Sequence, residues 1–199
     1  MSMDLASIRR TLADLPRESV SPAQERHAAV SMILREPIAG WGAEILLIQR
    51  AEHPKDPWSG HMAFPGGRWD LTDDSLRTTA ERETHEEIGL DLKTHGDMLG
   101  RMPDIAAIAA GKHTGMHITP HLYALHDSSD DTLALTLNPR EVAACLWVPL
   151  AHLADPGSQR TMEYNHEGRV LKLPCIHLQN DRVLWGLTLQ MTHALLMRL

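Results

Sequence analysis

Three glutamates constrain this chain more than any other feature. Glu83, Glu86 and Glu87 follow the glycine pair Gly66-Gly67 and an acidic turn (Asp70, Asp73, Asp74), and Gly89 closes the run. In a helix, positions i, i+3 and i+4 share a face, so the three carboxylates project into one small volume. Glutamates at this spacing are common on solvated faces, but there lysines interleave with them, and no lysine occurs between Lys55 and Lys93. Like charges so close repel one another unless a cation joins them. Hard divalent ions such as Mg²⁺ or Mn²⁺ prefer carboxylate oxygen and share their other positions with water and phosphate. Arg82, four residues before Glu86, is placed to steady a carboxylate through a charge-assisted bond. Gly66 and Gly67 allow close backbone approach to a metal or a phosphate, and a carbonyl there would complete a coordination shell.

The rest of the chain bounds what can surround such a site. At 199 residues and 43% hydrophobic content it has material for one domain with a sizeable core. A formal charge of −7 with scattered basic residues argues against a general nucleic-acid surface. Cys145 and Cys175 are far apart without CxxC spacing, which reads as two small buried residues rather than a zinc knuckle or disulfide frame. The first residues mix charges among apolar positions, and no run is long enough to span a bilayer, so a cytoplasmic protein with no membrane partner is expected.

Leu5, Ile8, Leu12 and Leu15 predict a short amphipathic helix ending at Pro16. Residues 1–26 are then an N-terminal helix and linker, the helix serving as a packing element or an arm that leaves a homodimer open. Strands are predicted at His27–Leu34 and Glu44–Gln49, paired as a hairpin, then at Leu99–Met102, Met116–Leu125, Glu141–Pro149 and Val170–Leu173. Residues 127–131 read as a solvated turn. Leu184, Leu187, Met191 and Leu195 mark a terminal helix, with Trp185 in the core at its start. Strands, a central helix, more strands and a terminal helix predict an α/β (α+β) fold, a mixed sheet covered by helices.

Gly67, Asp73, Arg82-Glu83, Glu86-Glu87 and Gly89-Leu90 together resemble the Nudix box, G-x5-E-x7-R-E-U-x-E-E-x-G-U, U being aliphatic. Asp73 stands where the first glutamate is expected, eight residues rather than seven separate it from Arg82, and Thr84 replaces an aliphatic residue. The spacing is similar to that of the coenzyme A pyrophosphatase branch. So are Leu46-Leu47-Ile48-Gln49-Arg50, Ala63-Phe64-Pro65-Gly66-Gly67, Ile118-Thr119-Pro120, Asn138-Pro139-Arg140-Glu141-Val142 with Val148-Pro149-Leu150, and Leu184-Trp185-Gly186-Leu187-Thr188. Ahead of its FPGG the branch has RxHxGQ, whereas this chain has Asp56, Trp58 and His61 at the Arg, His and Gln positions. An anion in place of that cation weakens the pull on the extra 3′-phosphate of coenzyme A.

The resemblance implies a Nudix-type α/β/α sandwich over residues 27–199, with metal-assisted attack of water on a diphosphate linkage. The substrate would be a small nucleotide, coenzyme A or an acyl-coenzyme A first, cleaved to 3′,5′-ADP and a 4′-phosphopantetheine product. Nucleotide sugars, dinucleotides or damaged nucleoside triphosphates are alternatives. So is a binding module without catalysis, although such a module would be expected to have lost box glutamates. Glu83, Glu86 and Glu87 are the expected ligands of Mg²⁺ or Mn²⁺, and Glu83, Glu86 and Arg82 the expected catalytic residues. Glu83 or a loop acid such as Glu141 would serve as general base. Arg50 and Arg68 are candidates to meet phosphate, with Gly66 and Gly67. Trp58 is a candidate to stack on a base, and Trp69 reads as a brace for the glycine loop. His113, His117 and His121 repeat every four residues, but Gly115 and Pro120 disfavour a helix that would gather them around zinc.

Overall fold

The computed structural model describes residues 3–18, 26–37, 42–54, 56, 58–109, 112–126, 134–166 and 168–199, apart from the side chains of residues 108, 109, 112, 113, 166 and 169. The linker over 19–25, the turn at 127–131 and the His113 side chain lie outside the described residues. In chain order the elements are α1 (Leu5–Thr11), β1 (His27–Arg35), β2 (Glu44–Arg50), β3 (Met62–Ala63), β4 (Gly66–Arg68), α2 (Leu76–Ile88), α3 (Leu92–His95) and β5 (Gly96–Arg101). There follow β6 (Ile105–Ala109), β7 (Lys112–Leu125), β8 (Val142–Pro149), α4 (Leu150–Ala154), β9 (Gln159–His166), β10 (Arg169–His177), β11 (Val183–Trp185) and α5 (Gly186–Leu196).

Strands β1 to β8 form one mixed sheet, and β11-β10-β9 form a second, antiparallel one. Strand β1 is apolar on both faces, which suits a central position. It pairs in parallel with β7 from His27↔His117 to Leu34↔Ala124. Its other edge is divided. Strand β4 takes Ala28 to Val30, and β2 takes only Leu34 and Arg35. The predicted hairpin of the first two strands is thus a two-pair contact at one end of β1. Between the two partners, Ser31 N donates to Pro65 O at 2.8 Å, which draws the FPGG turn into the split.

Alternation along the strands sorts side chains to the two faces. Met32, Leu34, Ile45, Leu47 and Leu122 join Leu5, Ile8 and Leu12 of the N-terminal segment and Leu189 and Leu195 of α5 in one core. Ile33, Leu46, Ile48 and Tyr123 meet Ile88 of α2 on the opposite side. The mixed sheet between helices is therefore as predicted. The apolar face of α1 is consumed within the chain, so it is a packing element rather than a projecting arm.

Helix α2 is capped by Ser75, whose hydroxyl accepts from Thr78 N, and stops at Gly89 in the left-handed region at φ 71°. Thr84, at the box's aliphatic position, is fully buried. Its hydroxyl lies 2.8 Å from Ser31 Oγ, and both hydroxyls reach Ala80 O. A polar pair thus replaces the usual apolar contact between helix and sheet, with its bonding satisfied internally.

Strand β7 separates His117 from His121 by four extended residues, roughly 13 Å, so the histidine series cannot converge on an ion. His117 instead stacks on His27, with ring centroids 5.6 Å apart. His121 is 1% exposed and pairs across the sheet with Arg101; both His121 Nδ1 and Arg101 Nε are buried without a hydrogen-bond partner. Burial pushes the imidazole down to about 4; Arg101 and Arg77 add to that, and the Thr119 backbone and Asp104 oppose it. An imidazole held below its unfolded value of about 6.5 contributes stability that is complete above that pH and is lost as pH falls toward 4. Between pH 7 and pH 5 the loss is about 2 kcal/mol. Urea denaturation of wild type at the two pH values should show that loss, and His121→Gln should flatten it.

Candidate active site

Helix α2 lies over the split in the β1 edge, and its carboxylates reach the FPGG turn. Glu87 is 3% exposed, and one oxygen accepts from Gly66 N at 2.9 Å. Gly66 itself has φ 148°, and a Cβ there would strike the Ala29 carbonyl and Val30. A Cβ on Gly67 would collide with the Glu83 carboxylate. Gly66 is therefore required by its close approach to β1, whereas a side chain at Gly67 would displace the Glu83 carboxylate. It is the Gly66 N–H, rather than a carbonyl, that addresses the carboxylate.

Arg82 fans out over the acids. Its Nε and Nη2 meet Asp73 Oδ1 and Oδ2 at 3.0 and 2.9 Å, a two-pronged pairing, and Nη2 also donates to Arg68 O at 3.3 Å. Its Nη1 meets Glu83 Oε1 at 2.9 Å and Glu86 Oε2 at 3.1 Å. The expected steadying of Glu86 is present, and Arg82 also organises Glu83 and the turn. Burial alone would raise the Asp73 carboxyl, but Arg82, Thr79 and the Asp70 N–H overcome this and hold it below the usual carboxylate range. Asp73, at the box's first glutamate position, thus anchors the arginine. Trp69 donates from its indole N–H to Asp73 O at 3.1 Å and packs on Ala29, Leu76 and Ala80, the brace that was predicted.

Burial pushes Glu87 up to about 8; the Gly66 N–H and Arg50 pull it down, while Glu83 and Glu141 push it further up. Burial likewise raises Glu83; Arg82 counteracts this, and Glu86 and Glu141 reinforce it. Glu141 is exposed and lies within electrostatic reach of both acids. Its segment is tied to the end of α2 by Asn138 N donating to Glu87 O at 2.9 Å, and its carboxylate accepts from Asn138 Nδ2 at 3.2 Å. Glu86 is half-exposed at the rim. Among the described residues, no three His, Cys, Asp or Glu side chains are drawn together as around one ion. In this arrangement Arg82 bridges Glu83 and Glu86. The donor set nevertheless suits a hard cation, since Glu83, Glu86, Glu87 and Glu141 offer only carboxylate oxygen.

The structure modifies several expectations about the surroundings. Arg50 is not a free phosphate binder: its Nε and Nη2 both meet Asp56 Oδ2, at 3.2 and 2.7 Å. Arg68 is exposed beside Arg82. Trp58 is 49% exposed on the loop between β2 and β3. Trp185 is not a core residue. It is only partly buried, with its ring against His61 at 4.8 Å and Tyr164 at 5.0 Å. Cys145 is also only partly buried, lies within electrostatic reach of Glu87, and has its thiol pushed up to about 12, by burial first and then by that acid. A thiol so protonated is a poor ligand. His61, Tyr164 and the clasp between Arg50 and Asp56 escaped sequence reasoning. The one signal for them was the departure of Asp56 and His61 from the branch motif.

A family model for the NUDIX domain matches residues 25–172. Over 174 residues the chain is 30% identical to an uncharacterized Nudix hydrolase, NudL, of Cronobacter sakazakii, covering 87% of this chain and 82% of that protein. It is 37% identical over 130 residues to an uncharacterized protein of Schizosaccharomyces pombe, covering 64% of this chain but only 38% of the yeast protein's length. A crystal structure of a MutT/nudix family protein from Enterococcus faecalis aligns over 98% of this chain and 69% of that one. The TM-score is 0.52 and the identity 16%, a likeness of fold alone.

Proposed function

The chain belongs to the Nudix family, and on that premise we propose that its carboxylate cluster hydrolyses the diphosphate linkage of a nucleoside diphosphate derivative in a Mg²⁺- or Mn²⁺-dependent reaction. Coenzyme A or an acyl-coenzyme A is the first candidate, giving 3′,5′-ADP and a 4′-phosphopantetheine product. The observation that carries the reading is the placement of the α2 carboxylates on the glycine turn: Glu87 accepts from Gly66 N, Glu83 lies against Gly67, and Arg82 ties Glu83 to Glu86. The motifs shared with the coenzyme A branch over most of the chain support the substrate. A bound divalent ion would neutralise phosphate charge and lower the pKa of an attacking water. Glu83, Glu86 and Glu87 would hold it. Arg82 fixes Glu83 and Glu86 in direction, and Glu83 or Glu141 takes the proton from water. Gly66 lets the turn lie against β1 with its N–H on Glu87, and Gly67 leaves room for the Glu83 carboxylate.

One observation favours a second substrate reading. Asp56 neutralises Arg50, so the loop offers less attraction to an additional phosphate, and nucleotide sugars or dinucleotides become alternatives. Coenzyme A, dephospho-coenzyme A, a nucleotide sugar and a dinucleotide, each incubated with Mg²⁺ or Mn²⁺ and resolved by chromatography against a Glu86→Gln control, decide between them. Cleavage of coenzyme A above the control supports the first reading. Intact coenzyme A with cleaved nucleotide sugar moves the substrate to the second. No turnover of any of them above the control refutes both.

A further inference from the structure

The described residues of the loop between β2 and β3 are tied together by a network of hydrogen bonds. The loop's ends are closed by Arg50 N donating to His61 O at 3.0 Å, and Ala51 N ties it to Glu141 O at 2.8 Å. Inside it, Asp56 N donates to His53 O, Ser59 N to Asp56 O and His61 N to Trp58 O. Ser59 Oγ accepts from His53 N and donates to Glu52 Oε2. Gly60 sits at φ 72°, where a Cβ would also strike the Glu52 carboxylate. At the centre is Asp56. One of its oxygens holds Arg50 through two donors, and the other accepts from Trp58 N at 3.0 Å. Loop ordering of this kind serves little purpose for packing, because the residue it presents, Trp58, is 49% exposed. A large exposed aromatic ring on an anchored backbone is, in contrast, a suitable platform for a planar ligand, since less main-chain freedom remains to be lost on binding.

We propose that Asp56 is a positioning residue that sets substrate choice: by clasping Arg50 and the Trp58 N–H at once, it anchors the backbone that presents the Trp58 indole as a stacking platform for the planar base of a nucleotide while withholding Arg50 from additional phosphates. The proposal rests on the reading of the substrate as a nucleoside diphosphate derivative. Asp56 touches no reacting atom. It acts through Trp58, which would contact the base, and through Arg50, which lies within electrostatic reach of Glu87.

The test is equilibrium binding of AMP, 3′,5′-ADP and ribose 5-phosphate to the full chain with Mg²⁺. None of these contains an anhydride, so turnover does not intervene. Wild type should bind AMP about tenfold more tightly than ribose 5-phosphate, the scale of one base on one aromatic ring. Trp58→Ala and Asp56→Ala should each reduce that preference to near unity without weakening ribose 5-phosphate. Asp56→Asn keeps an acceptor for the Trp58 N–H but removes the charge. It should retain the AMP preference and raise the ratio of 3′,5′-ADP to AMP affinity by about threefold, as a released surface cation would. If Asp56→Ala does not fold, Asp56→Asn and Trp58→Ala decide alone. The proposal is overturned if wild type shows no preference for AMP, if Trp58→Ala or a folded Asp56→Ala retains it, or if Asp56→Asn leaves the 3′,5′-ADP ratio unchanged. The expected pattern in a protein that cleaves no diphosphate would sink the hydrolytic reading and leave this one standing.

Discussion

Replacing Glu87 with glutamine is expected to lower diphosphate hydrolysis by about 100-fold or more, because loss of an outer-shell partner of a metal site already costs about 10- to 100-fold and Glu87 is a proposed ligand. The loss should come without unfolding. The amide that Glu87→Gln introduces still offers Gly66 N–H an oxygen to donate to, and it has no charge to desolvate. The wild-type acid, raised to about 8 chiefly by burial, contributes stability that is complete below its unfolded value and lost as pH rises through the folded one. In EDTA at pH 7 the variant should therefore melt at or above the wild-type temperature. Inactivity with a lower melting temperature would show that Glu87 serves the fold instead.

Removing Arg82 should have the opposite signature. Asp73 is 6% exposed and its two oxygens are both taken by this arginine, so Arg82→Ala leaves a buried carboxylate without its cation. Breaking one side of such a pair costs about 3 kcal/mol. Glu83 and Glu86 lose their common donor at the same time, and activity should fall by about 10- to 100-fold. Urea midpoints for Arg82→Ala, Asp73→Asn and the double variant should give a coupling of about 1 kcal/mol or more, since the two residues are in direct contact. Additive effects would mean that the pairing contributes nothing specific.

What was legible in the sequence was local. The glutamate spacing, the stop at Gly89 and the apolar stripes of α1 and α5 act within a few residues, so their periodicity survives in the string. The parallel partnership of β1 with β7 joins residues 90 positions apart, as His27 and His117, and leaves no local trace. Strand β9, QRTMEYNH, is too polar to signal a strand by apolar content, and without it Trp185 had no visible neighbour. Packing at the start of a terminal helix was the natural expectation. The second sheet instead turns Trp185 toward Tyr164 and His61. Asp73 looked like a defect in a motif because its function lies across a turn, in the side chain of Arg82. Asp56 looked like a lost cation because its partner is the arginine at the end of β2.

The central claim is that α2 and the FPGG turn form a hydrolytic site for a diphosphate linkage. Its most direct test is product analysis by mass spectrometry after incubation of a nucleoside diphosphate derivative with Mg²⁺ in ¹⁸O-labelled water, wild type beside Glu87→Gln. The account predicts two phosphate-containing fragments, a single ¹⁸O on one of them, and about 100-fold less of both from the variant. Intact substrate with wild type across the derivatives tried, or equal cleavage by Glu87→Gln, would contradict it.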